Sequence, residues 1–278
     1  MTDFTMNVDA DGVAIITWDV AGKSMNVLSV DAFPVLEGFI DEVLSNDAIK
    51  GAVITSGKDT FAGGMDLNVL GSIRDNAGDN PAQALFDFTM QGHSFLRKIE
   101  RAGMDPKTNK GGKPIATALP GTALGIGLEL PLATHRIFCA DNPKAKIGLP
   151  EIMVGNFPGA GGTTRLLRKL GAMGASPFLL AGKMVSPDKA QKAGLIDEVV
   201  DDPLAAARDW VLSAKDADIV KPWDAKGYKM PGGTPYHPAG FMTVVGASAM
   251  VHGKTQGAFP AAKALLSAVY EGAQVPFD

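Results

Sequence analysis

Two acids stand out by the company they keep. Glu129 sits in "LGIGLELPLA" (residues 124–133), and Glu151 between "KIGLP" and "IMVGNFPG" (residues 146–159). A carboxylate is rarely found in an apolar run unless it is paired or put to use. Taken singly, each reads equally well as a helix N-terminal charge set against the helix dipole. Two such acids suit general acid–base chemistry, because burial lifts a carboxyl pKa toward neutrality, where a working proton donor or acceptor must titrate.

Three glycine clusters surround the acids: "FAGGMDL" (61–67), "GTALGIGLEL" (121–130) and "FPGAGGTTR" (157–165). Glycines opening a helix often cradle phosphate. A dinucleotide fingerprint fails twice, however. Gly159 and Gly161 are followed by Thr164 at the third position, and Gly125 and Gly127 by Leu130. The chain has no G-x-x-x-x-G-K-[ST], so the nucleotide-loop reading falls. Two readings are left. The glycines serve tight turns and close packing, or they bring bare N–H groups against a substrate as an oxyanion hole.

Other chemistries find less support. His93, His135, His237 and His252 are scattered without ligand spacing, so no metal site is expected. Cys139 lies in an apolar strand-like run and reads as an inert core thiol. No G-x-S-x-G elbow occurs, which disfavours a serine hydrolase.

The elements that must hold these residues alternate. Apolar, β-branched runs at 12–19, 50–57, 113–121, 135–141 and 194–200 predict buried strands. Residues 31–45 place Val35, Leu36, Phe39, Ile40 and Val43 on one helical stripe, and residues 81–101 carry Leu85, Phe88, Phe95 and Ile99. This alternation predicts an α/β domain. Residues 1–12 read only as acidic and polar, 101–113 as a mobile glycine-rich loop, 216–257 as irregular, and 259–274 as a closing helix. There is no internal repeat.

Composition narrows the setting. A chain of 278 residues, 46% hydrophobic and 20% charged, can bury a large core. A net charge of −4 offers no basic field for nucleic acid. No apolar run approaches the roughly 18 residues of a membrane span. The single cysteine forbids an intrachain disulfide and fits a reducing, cytoplasmic compartment.

With these residues in view, the chain resembles the crotonase (enoyl-CoA hydratase/isomerase) superfamily. The resemblance rests on "GKSMNVLS", "VITSGKDTFAGGMDL", "KPIATALPGTALGIGLELPLATHRI", "KIGLPEIMVGNFPGAGGTTRL" and "GKMVSPDKAQKAGLIDEVV", in family order. The tail, through "PWDAKGYKMPGG" and "AAKALLSAVYEG", is similar to the N-terminal part of the multifunctional β-oxidation α-subunit, and the ending "VPFD" is expected to continue toward a linker and dehydrogenase part. The resemblance implies a spiral of ββα units at residues 1–200 and a helical, irregular extension at 201–278.

It also implies a function. The chain would be an enoyl-CoA hydratase acting on trans-2-enoyl-CoA, with Δ3-Δ2-enoyl-CoA isomerase or a catalytically weak acyl-CoA scaffold as alternatives. Glu129 and Glu151 would be the catalytic carboxylates, the N–H groups of Met65 and Ile126 the oxyanion hole, and the Gly159 N–H a water-positioning donor. Lys23, Gly63 and Leu67 match CoA-binding positions. No cofactor is implied, since CoA is part of the substrate; the partner implied is another copy of the chain or a thiolase. Two features depart from the family pattern. Ile126 replaces a usual glycine and is expected to crowd the thioester, and the loop "GMDPKTNKGG" (103–112) is longer and is expected to shape the acyl tunnel.

Overall fold

The β-branched runs associate as a sheet because each is too apolar to face water on either side. The computed structural model describes residues 2–66, 69, 71 and 78–278. Its strands are β1 (Phe4–Val8), β2 (Val13–Trp18), β3 (Gly51–Ser56), β4 (Ile115–Leu119), β5 (Ala123–Leu124), β6 (Arg136–Ala140), β7 (Ile147–Gly148), β8 (Met184–Val185) and β9 (Glu198–Val200). Six of them form one sheet in the order β1-β2-β3-β4-β6-β9, and a small second sheet runs β5-β7-β8. In the large sheet β1 is antiparallel to β2 and all other neighbours are parallel, with Val13 opposite Gly51, Ala52 opposite Ile115 and Ala116 opposite Arg136.

Helices cover both faces. They are α1 (Ala32–Ser45), α2 (Pro81–Arg101), α3 (Ile126–Ala133), α4 (Gly162–Leu179), α5 (Pro187–Ala193), α6 (Pro203–Ser213), α7 (Pro238–Thr255) and α8 (Pro260–Gly272). Ala207 and Val211 of α6 cover Val13, Val53, Ala116, Ala118 and Phe138. The main core joins Leu36, Ile40 and Val43 of α1 and Phe95, Leu96 and Ile99 of α2 to Ile16, Ile54 and Ile115. Cys139 lies inside this core, where burial pushes its thiol up to about 12. The architecture is the mixed α/β fold that the alternation predicts. No described helix is long and apolar enough to cross a membrane.

Two elements differ from the sequence expectation. β1 was hidden in an acidic, polar N-terminal run. Phe4 is nonetheless fully buried and stacks on Trp18 at 5.1 Å. The turn into β2 closes because the Asp9 carboxylate accepts the N–H groups of Asp11 and Val13, while Gly12 takes φ +85°. The second is α7, within the stretch read as irregular. Before His252 and Lys254 in the last turn its residues are apolar or small all round, and only Gly240 and Val251 are buried, so no amphipathic period marks it. Phe241, Met242, Val245 and Met250 stay exposed beside a groove of about 620 Å³ between α4, α7 and α8 that contains neither carboxylate.

The loop at 101–113 is tied down. Asn109 donates to the Asp224 carbonyl, and Lys113 Nζ to the carbonyls of Val43 and Asn46. Nearby lies a buried charge cluster that joins α2, α4 and the C-terminal segment. Glu100, with no exposure, takes two bonds from Arg165 at 3.0 and 3.2 Å and one from Arg97 at 2.8 Å. Arg97 also pairs bidentately with Asp224, and Arg97, Arg165 and Arg168 surround the Phe277 ring. Removing one member of a buried pair leaves an uncompensated charge. Glu100→Ala is therefore expected to cost about 3–5 kcal/mol in urea unfolding; a loss below about 1 kcal/mol, the range of an exposed pair, would show that the cluster is solvated.

Candidate active site

Parallel strands present their carboxyl ends on one side, the usual place for a ligand in such sheets. The chain leaving β3 reaches 61–65, the chain leaving β4 passes through β5 into α3, and the chain leaving β6 passes through β7 to Glu151. These segments then pair with one another. Ala62 bridges Ala123 in parallel, with the Leu124 N–H on the Ala62 carbonyl at 3.0 Å. The Gly125 N–H continues to the Gly148 carbonyl at 3.1 Å. Met65, Ile126, Glu129 and Glu151 are thus brought together by three adjacent crossovers.

Two N–H groups are left over at the junction. The parallel bridge between Leu28 and Met65 uses the Gly64 carbonyl and the Asp66 N–H, so the Met65 N–H faces the other way. Ile126 opens α3, and a first-turn N–H has no partner within its own helix. Neither N–H donates to any described residue. Gly125, at φ +57°, is the spacer between them: a Cβ there would lie 3.5 Å from Gly64 Cα and 3.1 Å from Glu151 Oε1. Ile126 itself is 4% exposed, keeps a negative φ and packs into the main core. The β-branched side chain is thus packed among core residues.

Glu129 is 3% exposed, and its Oε1 accepts the N–H groups of Ala160 at 2.9 Å and Gly162 at 2.8 Å. The turn at 158–162 makes this possible, with Gly161 at φ +95° leading into α4. A Cβ on Gly162 would fall 2.8 Å from Glu129 Cγ and 2.9 Å from Oε1, so the carboxylate itself demands glycine there. This is an anion nest at a helix N-terminus, and its anion is the chain's own glutamate. α3 is braced at its other end by half-buried Lys221, which donates to the carbonyls of Leu132 and Thr134 and is pushed down by desolvation to about 8.

Glu151 differs. Its Oε2 is buried and has no hydrogen-bond partner among the described residues. Burial first, and then the Glu129 charge, push its carboxyl well above the ordinary carboxylate range. Burial also raises Glu129, against the pull of its two N–H donors and the Arg165 charge. The two acids form an interacting pair with unequal environments.

The remaining expected residues are placed as follows. Gly159 precedes the nest; its carbonyl lies 2.6 Å from His93 Nε2, and its N–H bonds to no described residue. Lys23 is exposed on the turn after β2. Gly63 donates its N–H to Asn26 at 2.8 Å, and a Cβ on it would meet Met25 Sδ at 2.6 Å, so Gly63 lies against the turn that carries Lys23. Leu67 is outside the described residues. Sequence reasoning missed Asn26, fully buried, whose side chain bonds Val20, Trp18, Ser56 and Phe61 and pins that turn. It missed Ala160, Gly162 and His93 as well. A polar Asn just before "VLS" was a visible signal; the others carried none.

The chain and its fold have known counterparts. The sequence model for enoyl-CoA hydratase/isomerase matches residues 10–215, and the chain belongs to that family. An enoyl-CoA hydratase/isomerase structure from Mycobacterium paratuberculosis superposes with a TM-score of 0.66 at 19% identity, covering 99% of this chain and 95% of that one. An enoyl-CoA hydratase from Geobacillus kaustophilus gives 0.62 at 23% identity, with 99% and 88% covered. DspI of Pseudomonas aeruginosa gives 0.61 at 26% identity, with 78% and 75% covered.

A carboxyl raised by folding keeps its proton in the native state after the unfolded chain has lost it. Its contribution to stability is complete below the unfolded pKa and is lost as pH rises through the folded one. Glu151→Gln is therefore expected to flatten the fall in melting temperature between about pH 5 and pH 9 and to melt above wild type at the alkaline end. Parallel curves would contradict the raised carboxyl.

Proposed function

We propose that this chain is an enoyl-CoA hydratase that adds water across C2=C3 of trans-2-enoyl-CoA thioesters in fatty-acid β-oxidation. The observation that carries the proposal is the asymmetry of the two carboxyls. Glu129, anchored by two N–H donors, is suited to stay ionised; Glu151, with a buried oxygen that no described residue bonds, is suited to hold a proton. Pairs pushed apart in this way divide into base and acid.

The thioester oxygen accepts the Met65 and Ile126 N–H groups, which stabilise the enolate that forms as water attacks. Each such donor is typically worth a hundred- to a thousandfold in rate. Glu129 takes a proton from the water as its oxygen bonds C3, and Glu151 delivers a proton to C2. The double bond is consumed and the added atoms sum to one water. The free Gly159 N–H helps to place the water. Lys23 reaches the CoA phosphates from its exposed turn, and Gly63 flanks the adenine. CoA enters as part of the substrate, and no separate cofactor is invoked.

Glu151 Oε2, which no described residue bonds, also favours a second reading, Δ3-Δ2-enoyl-CoA isomerisation, since one carboxylate can carry a proton between carbons. Loss of the enoyl-thioester absorbance of crotonyl-CoA separates them. Glu129→Gln and Glu151→Gln are each expected to slow hydration by about 10²–10⁴-fold, the usual worth of a positioned acid or base. Normal hydration by either variant would overturn the two-carboxylate mechanism. Isomerisation of a 3-enoyl-CoA that survives Glu129→Gln while hydration is absent from wild type assigns the isomerase. CoA binding with neither activity assigns a scaffold.

A further inference from the structure

One peptide unit links Glu129 to a histidine that no role has yet claimed. His93, half-buried on α2, places Nε2 2.6 Å from the Gly159 carbonyl oxygen. A carbonyl can only accept, so the ring donates and Nε2 carries the proton. That carbonyl shares its peptide with the Ala160 N–H, which donates to Glu129 Oε1 at 2.9 Å. Among the described residues there is no cis peptide, so the C=O and N–H of this unit point in opposite directions. His93 grips one end and Glu129 the other.

The grip answers a specific weakness. Gly159 has no side chain, and a Cβ there would meet only the Phe157 carbonyl, at 3.9 Å, so its backbone can rotate at little steric cost. A flipped peptide would turn a carbonyl oxygen, rather than an N–H, toward the Glu129 carboxylate. Chained hydrogen bonds also polarise one another, so a donor on the Gly159 oxygen strengthens the Ala160 donor. We infer that His93 is a positioning residue that locks the Gly159–Ala160 peptide and thereby holds Glu129 ionised as the base. The inference deepens the hydratase reading and rests on it.

The test compares His93→Phe, which removes the donor, with His93→Gln, which restores an N–H of similar reach, and His93→Asn, which is too short. Hydration of crotonyl-CoA by the Phe and Asn variants should fall roughly tenfold in kcat, the equivalent of one lost hydrogen bond of about 1.4 kcal/mol. KM should be unchanged, isomerisation of a 3-enoyl-CoA should fall less than hydration, and Gln should recover most of the loss. A 13C NMR titration of glutamate-labelled protein gives a readout that needs no turnover. The charged groups acting on Glu129 are Glu151 and Arg165. With these unchanged, loss of a donor to the ionised form should move the Glu129 midpoint upward. An unmoved midpoint, or equal hydration by Gln and Asn variants, overturns the role of His93. A wild type that fails to hydrate while the midpoint still moves faults the hydratase reading instead. The Gln–Asn contrast decides the matter if the Phe variant does not fold.

Discussion

A carboxylate with 3% exposure would cost several kcal/mol to bury without partners. The bonds from Ala160 and Gly162 to Glu129 Oε1 meet that cost, and much of the surrounding structure is arranged to deliver them. The turn at 158–162 can present both donors only because Gly161 adopts φ +95° and Gly162 leaves room for the glutamate side chain. Arg165, one turn into α4, is held by Glu100, and its charge bears on Glu129 from behind. The second carboxyl takes its character first from burial and then from the Glu129 charge: with Oε2 buried and unbonded among the described residues, Glu151 favours its neutral form.

Topology supplies the rest. Because β3, β4 and β6 are parallel neighbours, their outgoing segments emerge on the same side and can pair again as 62 with 123 and 124 with 148. The Met65 donor is left over by the bridge to Leu28 and the Ile126 donor by the start of α3. The site is thus built mainly from backbone, with glycine needed at 125 and 162.

Much of this was legible in the sequence, to an extent set by how local each signal is. Strands at β2, β3, β4 and β6 announced themselves because a strand covered on both faces needs an unbroken apolar run, and half-buried β9 through the apolar residues around it. Glu129 and Glu151 were visible for a related reason, as charges where none is cheap. β1 was not, since its Phe-Thr-Met-Asn-Val alternation is short, buries only Phe4 fully and lies within a run whose acids and polar residues dominate. α7 lacked a period because it has no polar face before its last turn. The nest illustrates the limit best. Its glycines invited a phosphate reading, which the absent lysine and third glycine removed; the physics of bare N–H groups at a helix start survived, with a glutamate thirty-odd residues upstream as the anion. His93 and Asn26 act through contacts with carbonyls far along the chain, which spacing cannot reveal.

The central claim is that the pair shares one proton at neutral pH, held by Glu151 while Glu129 stays ionised. Infrared difference spectroscopy of wild type against Glu151→Gln, near pH 7, tests it most directly. The account predicts a protonated-carboxyl C=O stretch in wild type that is absent from Glu151→Gln and present in Glu129→Gln. A wild-type spectrum with both carboxylates ionised, or a protonated band that disappears with Glu129 instead, would contradict it.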